Sequence, residues 1–220
     1  MRSLPLPLAL TARLSPVVVL ACAGWALSSG PSTEDTAARD TPKPQSASES
    51  APSSTAVSKT FAAAPAPCTS VAAKTVSSLV PGARTAGKEI PSTDTTLRRT
   101  CSWNALKGYD YRWLDISFEL MDSDEAAQTS YKERIAEKSG GGAVPGLGDE
   151  GYSVVNLTTE DKQQTREGTV FARVSNALVV VTYNGSDFES KKAPSTDVIN
   201  TGAIKAAKEA VAALKATAAN

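Results

Sequence analysis

Residues 111–120 read Tyr-Arg-Trp-Leu-Asp-Ile-Ser-Phe-Glu-Leu, and this run is the clearest strand pattern in the chain. Every second side chain is apolar from Leu114 onward, which is the period-two pattern of a β-strand. The pattern assigns side chains to two faces: Leu114, Ile116, Phe118 and Leu120 on one, and Tyr111, Trp113, Asp115, Ser117 and Glu119 on the other. The first face predicts core. The second face is mixed, as expected of an antiparallel sheet partly open to water.

A second strand is predicted just before it, over residues 97–105. Alternation places Leu97, Cys101 and Trp103 on the same face of that strand. Cys68 and Cys101 are the two cysteines within the predicted domain. We therefore expect them to form one disulfide that ties the start of the domain to its sheet, packed beside the Trp103 ring.

The remaining pattern predicts an α+β domain with helices packed on a mainly antiparallel sheet of about five strands. The expected order is α-β-β-α-β-β-β-α. Helices are predicted from Thr69 or Ser70 to Leu79, over 122–138, and from Ser195 or Thr196 to Lys215. Further strands are predicted at 152–157, 169–174 and 178–183, with loops at 83–96 and 158–168 and a turn near Ser175-Asn176.

The first 22 residues have the features of an export signal, because Arg2 and Arg13 precede a charge-free apolar run too short to span a bilayer. Two cleavage readings remain open. Val19 to Cys22 resembles a lipobox, with Leu20 an imperfect fit, in which Cys22 is lipidated. Alternatively, Ala21-Cys22-Ala23 is an A-x-A cleavage site and Cys22 is removed.

Residues 23–67 are dominated by Ala, Ser, Thr and Pro, a composition that predicts a disordered tether. Residues 68–220 are then one domain, long enough to bury its own core. The expected location is extracytoplasmic, on the outer face of the cytoplasmic membrane through a lipid anchor. Secretion is the alternative, should Cys22 be removed.

Several chemistries lack their usual residues. The chain has no histidine, and its 23 basic and 23 acidic residues give no net charge. Histidine-based catalysis and the common zinc sites are therefore absent, and no basic patch predicts nucleic-acid binding. We predict no cofactor and no metal. The loop Gly146 to Gly151 is interpreted as a structural turn. The alternatives are a phosphate-binding loop over the same residues and a calcium site at Asp149 and Glu150.

The most suggestive cluster is aromatic: Tyr109, Tyr111 and Trp113. Tyr111 and Trp113 share the face opposite Leu114. If that face is open, it is a candidate binding surface for a glycan, peptide or partner protein. If helices cover it, the rings are core of the second face.

The domain resembles a family of uncharacterised actinobacterial envelope lipoproteins, grouped as domain of unknown function 3558. The resemblance rests on Pro67-Cys68, Cys101-Ser102-Trp103, the turn over 146–151 and the alanine-rich stretch 203–214. The resemblance implies a location in the cell envelope and no specific activity. The sequence hypothesis is a non-enzymatic module that binds an envelope protein or cell-wall ligand. The alternative is a carboxylate-dependent enzyme acting on cell-wall or other extracellular material.

Overall fold

The computed structural model describes residues 59–218. The predicted signal peptide, Cys22 and residues 23–58 of the tether lie outside the described residues. The helices are a 3-10 turn at Pro67–Thr69, then α1 (Ala73–Leu79), α2 (Asp124–Ala136) and α3 (Thr196–Ala218). The strands are β1 (Lys88–Ile90), β2 (Arg98–Lys107), β3 (Asp110–Leu120), β4 (Gly142–Ala143), β5 (Glu150–Glu160), β6 (Gln163–Val174) and β7 (Ala177–Asp187).

The strands form one sheet in the order β1-β2-β3-β7-β6-β5-β4, and all neighbouring pairs are antiparallel. The predicted α+β class is confirmed for the described residues. The predicted count of about five strands is wrong, and so is the element order, because β1 and β4 are additional edge strands. Each is two or three residues long, so its sequence contains no alternation that would reveal it.

The predicted loop at 158–168 is also wrong. β5 and β6 continue through it and meet at a two-residue turn, Asp161-Lys162. Both turn residues have positive φ, 48° and 68°, as the tightest antiparallel hairpins require. Near the turn, the side chains of residues 158–167 are exposed or half-buried, so this stretch lacks the apolar alternation that identifies a strand.

One face of the sheet carries the main core, against which α3 and α1 pack. Leu114, Ile116 and Phe118 are fully buried there, as predicted for β3. In β2, Cys101 and Trp103 are buried on this face, whereas Leu97 lies before the strand and is 43% exposed. The α3 helix confirms the predicted C-terminal helix, although Val198 is exposed and Ile199 takes the buried position.

The disulfide between Cys68 and Cys101 is present, with the two Cα atoms 5.1 Å apart. Trp103 is 1% exposed and its indole Nε1 donates a hydrogen bond to the carbonyl of Thr85 at 3.0 Å. A Cβ on Gly87 would come within 2.6 Å of both the Cys101 sulfur and the Trp103 ring. Glycine at this position therefore lets the chain close over the disulfide and the ring together.

The start of α1 is held by a residue that sequence reasoning missed. Its N-cap is Ala72, not Thr69 or Ser70, and it has no side-chain cap of its own. Glu209 of α3 supplies the acceptors: the amide of Ala72 donates to Oε2 at 2.8 Å, and the hydroxyl of Thr75 donates to Oε1 at 2.7 Å. A carboxylate is a favourable group at a helix N-terminus, so α3 caps α1 across the core.

The packed domain begins before Cys68. Phe61 and Ala64 are 4% and 6% exposed and belong to the main core, so the predicted tether boundary at residue 67 is too late. Asn176, in the β6–β7 turn, fixes this segment by accepting from the amide of Phe61 at 2.9 Å and donating to its carbonyl at 3.0 Å. Composition hides the boundary, because a single phenylalanine is the only large apolar residue in residues 59–67.

Tyr183 makes the core sensitive to alkaline pH. It is 2% exposed, its hydroxyl donates to the carbonyl of Leu79 at 2.7 Å, and burial raises the pKa of this phenol above its ordinary value near 10. A pKa raised by folding contributes stability that is complete below the unfolded pKa and is lost as pH rises toward the folded pKa.

We therefore expect Tyr183→Phe to be less stable than the parent protein by about 1 kcal/mol at neutral pH, because the hydrogen bond is lost. Above about pH 10 this difference should shrink, since the variant has no phenol to ionise at this position. Urea unfolding at a series of pH values measures both effects, with Tyr109→Phe, an exposed ring, as control. If the parent protein and Tyr183→Phe lost the same stability between neutral and alkaline pH, ionisation of Tyr183 would not be the cause of the loss.

Candidate functional site

The second face of the sheet is divided into a covered and an uncovered part. Helix α2 packs on the end where Phe171, Leu178 and Val180 lie, using Tyr131 and Ile135. Arg134 of α2 also forms an ion pair with Glu119 at that end. Within residues 59–218, no helix packs on the remaining rows of this face. We call these rows, which carry Tyr111, Trp113 and Asp115 of β3 and their cross-strand neighbours, the open face.

The strand register carries the open face across four strands. Trp113 lies opposite Asn184, which lies opposite Glu167, which lies opposite Asn156. Neighbouring strands are about 4.8 Å apart, so this row is about 14 Å wide. A parallel row begins at Asp115 and continues through Thr182 and Thr169. That row ends at Val154 of β5, which is 2% exposed, so the Trp113 row is the one whose side chains form a surface across β3, β7, β6 and β5.

The aromatic residues gather at one side of this surface. The Tyr111 and Trp113 rings meet edge to face, with centroids 6.4 Å apart and planes at 83°. The indole Nε1 of Trp113 donates to Oδ1 of Asp115 at 2.6 Å, which fixes the ring over its own strand. Both rings are half-buried. They are therefore not second-face core under a helix, which was the alternative interpretation of this cluster.

Phe188 completes the cluster and was not found from sequence. Its ring centroid lies 6.1 Å from that of Tyr111, and its amide donates to the carbonyl of Tyr109 at 2.9 Å. Phe188 and Tyr109 are 47% and 58% exposed. The ring of Tyr109 makes no ring contact with another described residue, so the structure joins Tyr111 and Trp113 but leaves Tyr109 at the margin. Phe188 follows the end of β7, where no periodic signal marks it.

The environment of Tyr111 favours a neutral phenol. Partial burial, and secondarily the negative charge of Asp115, raise the pKa of Tyr111 above its ordinary value. A tyrosine hydroxyl, which is protonated at neutral pH in any case, can donate a hydrogen bond.

A polar hollow of about 610 Å³ lies on the same face, on β5 and β6, with β7 between it and the aromatic residues of β3. It is formed by the turn end of the β5–β6 hairpin, most of which was predicted as a loop. Every lining residue is polar: Asn156, Thr158, Glu160, Asp161, Gln163, Thr165 and Glu167. Its volume lies within the range of about 300–1,000 Å³ that is usual for small-molecule sites.

Hydrogen bonds between strands fix the floor of the hollow. The side-chain amide of Gln163 donates to Oγ of Ser186 at 2.8 Å, and that hydroxyl donates to the carbonyl of Gln164 at 2.8 Å. Ser186 is 2% exposed and Gln163 is half-buried. The floor of the hollow is therefore fixed at Gln163 by hydrogen bonds between β6 and β7.

The loop at Gly146 to Gly151 has a structural role. Gly146 and Gly148 have positive φ, and the carboxylate of Asp149 accepts from the amide of Ser175 at 2.7 Å. Glu150 accepts from Nε of Arg173 at 2.7 Å. These acids hold the loop against β6. Among residues 59–218 no group of three acidic or cysteine side chains is arranged to hold a metal ion.

The carboxyl groups with shifted pKa values do not resemble general acids. The pKa values of Glu89 and Asp187 are lowered, first by hydrogen bonds from Arg99 and Ser190 respectively. Hydrogen bonds likewise lower the pKa values of Asp94, Asp122 and Glu125. A catalytic acid that works near neutral pH needs the opposite shift.

No protein-family model and no curated protein matches the chain. A solved structure from Bacteroides thetaiotaomicron VPI-5482 aligns with 54% of this chain and 47% of its own, at 9% identity and a TM-score of 0.34. The extracellular domain of PknH from Mycobacterium tuberculosis aligns with 54% of this chain and 64% of its own, at 10% identity and a TM-score of 0.33. The chain thus spans less than two thirds of either neighbour, and similarities this distant say nothing about function. No helix within residues 59–218 is long and apolar enough to cross a membrane.

Proposed function

We propose that this protein is an exported, non-enzymatic binding module of the cell envelope that holds a ligand or partner on its open face. The observation that carries the proposal is the open face itself, where a half-buried aromatic pair on β3 and a polar hollow on β5 and β6 share one face of the sheet, with β7 between them. Rigid aromatic rings beside positioned polar groups are typical of recognition surfaces.

Three features support a location in the cell envelope. Residues 1–22 have the pattern of an export signal, with Cys22 as the lipidated residue of the lipobox reading. The disulfide between Cys68 and Cys101 suits an oxidising compartment. The resemblance to the family of domain of unknown function 3558 points the same way. In this proposal the lipid on Cys22 anchors the module to the outer face of the cytoplasmic membrane.

The geometry of the domain suits a tethered receptor. Phe61 joins the domain at the β6–β7 turn, beside Asn176, whereas the hollow ends at the β5–β6 turn, Asp161-Lys162. These turns lie at opposite ends of β6. A fully extended strand of 12 residues is about 40 Å long. The chain from the anchor thus enters at one end of the sheet, and the hollow is presented at the other.

A matched pair of substitutions tests the proposal. Thr158→Arg places a long cation in the hollow, whereas Thr201→Arg places the same group on the exposed side of α3, on the other side of the sheet. In intact cells that produce the full chain, chemical crosslinking should yield specific adducts with the parent protein and with Thr201→Arg. The yield should fall at least fivefold with Thr158→Arg, while the melting temperature stays unchanged.

The same adducts in equal yield from both variants would show that the open face is not the binding surface. Loss of adducts from Thr201→Arg alone would place the binding surface on α3 instead. Neither residue is buried, so both variants are expected to fold.

A further inference from the structure

We infer that the ligand of the open face is an oligosaccharide that is neutral or bears amino groups, bound by stacking on Trp113 and by hydrogen bonds from its hydroxyl groups to the polar hollow. This inference rests on the proposed function and names the chemical class of its ligand. It follows from the ring arrangement, the acceptor set and the charge of the open face.

The aromatic pair offers what the carbon-bonded hydrogens of a sugar ring need. Those hydrogens carry partial positive charge and are attracted to the negative face of an aromatic ring. The hydrogen bond from Trp113 to Asp115 and the contact with Tyr111 hold the indole in place before a ligand arrives. A ring that is already ordered loses little conformational entropy on binding.

The hollow and the neighbouring strand β7 supply polar groups that match sugar hydroxyls. Each hydroxyl both donates and accepts, as do the side-chain amides of Asn156, which lines the hollow, and of Asn184 on β7. Glu167 lies between these two amides in the same row and adds acceptor oxygens. Glu167 forms no ion pair with another described residue, so its carboxylate is available to a ligand.

Charge decides against an anionic ligand. Three rows of side chains cross the open face, and they begin at Tyr111, Trp113 and Asp115 of β3. These rows contain the carboxylates of Asp115 and Glu167. They contain no lysine or arginine on β3, β7, β6 or β5. Lys88 on β1 and Lys162 in the β5–β6 turn lie at the margins. A uronic-acid chain would bring like charge to this surface, whereas an amino sugar brings the complementary charge.

The shape of the surface favours a sugar chain over a basic peptide, which would also complement the charge. Peptides commonly bind by adding a strand to a sheet edge or by inserting apolar anchors into pockets. The open face is the broad side of four paired strands, and its hollow is lined by polar side chains alone. A row about 14 Å wide beside the aromatic pair accommodates several sugar rings in succession.

Isothermal titration of the purified full chain tests the inference. The probes are cellotetraose, the tetramer of N-acetylglucosamine, the tetramer of glucosamine, and the tetramer of galacturonic acid. We expect the glucosamine tetramer and at least one neutral tetramer to bind, and the galacturonic acid tetramer not to bind. Trp113→Ala should weaken binding at least tenfold, and Trp113→Phe should weaken it less. Glu167→Gln should weaken the glucosamine tetramer more than a neutral tetramer.

Thr158→Arg provides a second variant at an exposed residue, in case Trp113→Ala alters the fold, and Thr201→Arg is its control. Absence of binding by all three neutral or aminated tetramers overturns the inference, and so does preferential binding of the galacturonic acid tetramer. If those tetramers fail while Thr158→Arg still abolishes crosslinking in cells, the ligand class is wrong and the proposed function stands. If the tetramers bind with equal affinity to the parent protein and to Thr158→Arg, the open face itself is the error.

Discussion

Replacing Cys68 and Cys101 together with alanine should lower the free energy of unfolding by about 3–4 kcal/mol, the chain-entropy value for a loop of this length. The disulfide closes a 33-residue separation and joins the 3-10 turn to β2, the second strand of the sheet. Without it the unfolded chain regains the freedom that the crosslink removes. A loss of this size is a large fraction of the stability of a domain of ordinary size.

Urea unfolding of the full chain measures this loss. The parent protein after reduction is the matched control, because it lacks the crosslink but keeps both sulfur atoms, and it should lose a similar amount. Thiol labelling of the native, oxidised protein should leave Cys68 and Cys101 unmodified. A double variant as stable as the oxidised parent would show that the crosslink does not contribute to stability.

The second large effect is expected at Asn176, which is completely buried. Its side chain bonds to the amide and the carbonyl of Phe61, and its Nδ2 also donates to the carbonyl of Met121 at 3.0 Å. Asn176→Ala leaves these backbone groups without a partner, at about 1–3 kcal/mol for each buried group. We expect a total loss of about 3 kcal/mol and release of residues 59–64 from the core.

Hydrogen exchange at the Phe61 amide reports the release directly, since its protection depends on the Asn176 oxygen. Asn184→Ala is the control, because Asn184 is half-buried on the open face and makes no side-chain hydrogen bond to another described residue. Its effect on stability should stay below about 1 kcal/mol. A Phe61 amide that remains protected in Asn176→Ala would contradict the role assigned to this residue.

Sequence reasoning found the elements whose burial pattern is regular. β3 alternates from Leu114 to Leu120, because Leu114, Ile116, Phe118 and Leu120 face the main core and the polar side chains between them face the other side of the sheet. The β6–β7 hairpin has its turn at Ser175-Asn176, as predicted, and α3 has a sustained apolar stripe. In each case the core contacts repeat with the period of the element, so the sequence carries the signal.

The elements that were missed are specified by partners distant in sequence. The α1 cap comes from Glu209 on α3, more than 130 residues away. The burial of Phe61 depends on Asn176, at a separation of 115 residues. The turn end of the β5–β6 hairpin is held by backbone pairing between polar residues. A hydropathy pattern cannot reveal such strands, because they have no apolar face.

The sequence predicts part of the open face and misses the rest. Alternation alone placed Tyr111 and Trp113 on one face. Whether helices cover that face depends on where α2 packs, and α2 packs through Tyr131 and Ile135 on the far end of the same face. The polar hollow was not found from sequence, because six of its seven lining residues lie in the stretch 158–168 that was predicted as a loop.

Site-specific photo-crosslinking in cells shows whether the open face is the binding surface. A photoreactive phenylalanine at Asn156 lies in the hollow, and the same group at Lys208 lies on the exposed side of α3. Illumination of intact cells should give discrete adducts of the full chain from position 156 and none from position 208. Discrete adducts from position 208, with none from position 156, would contradict the account.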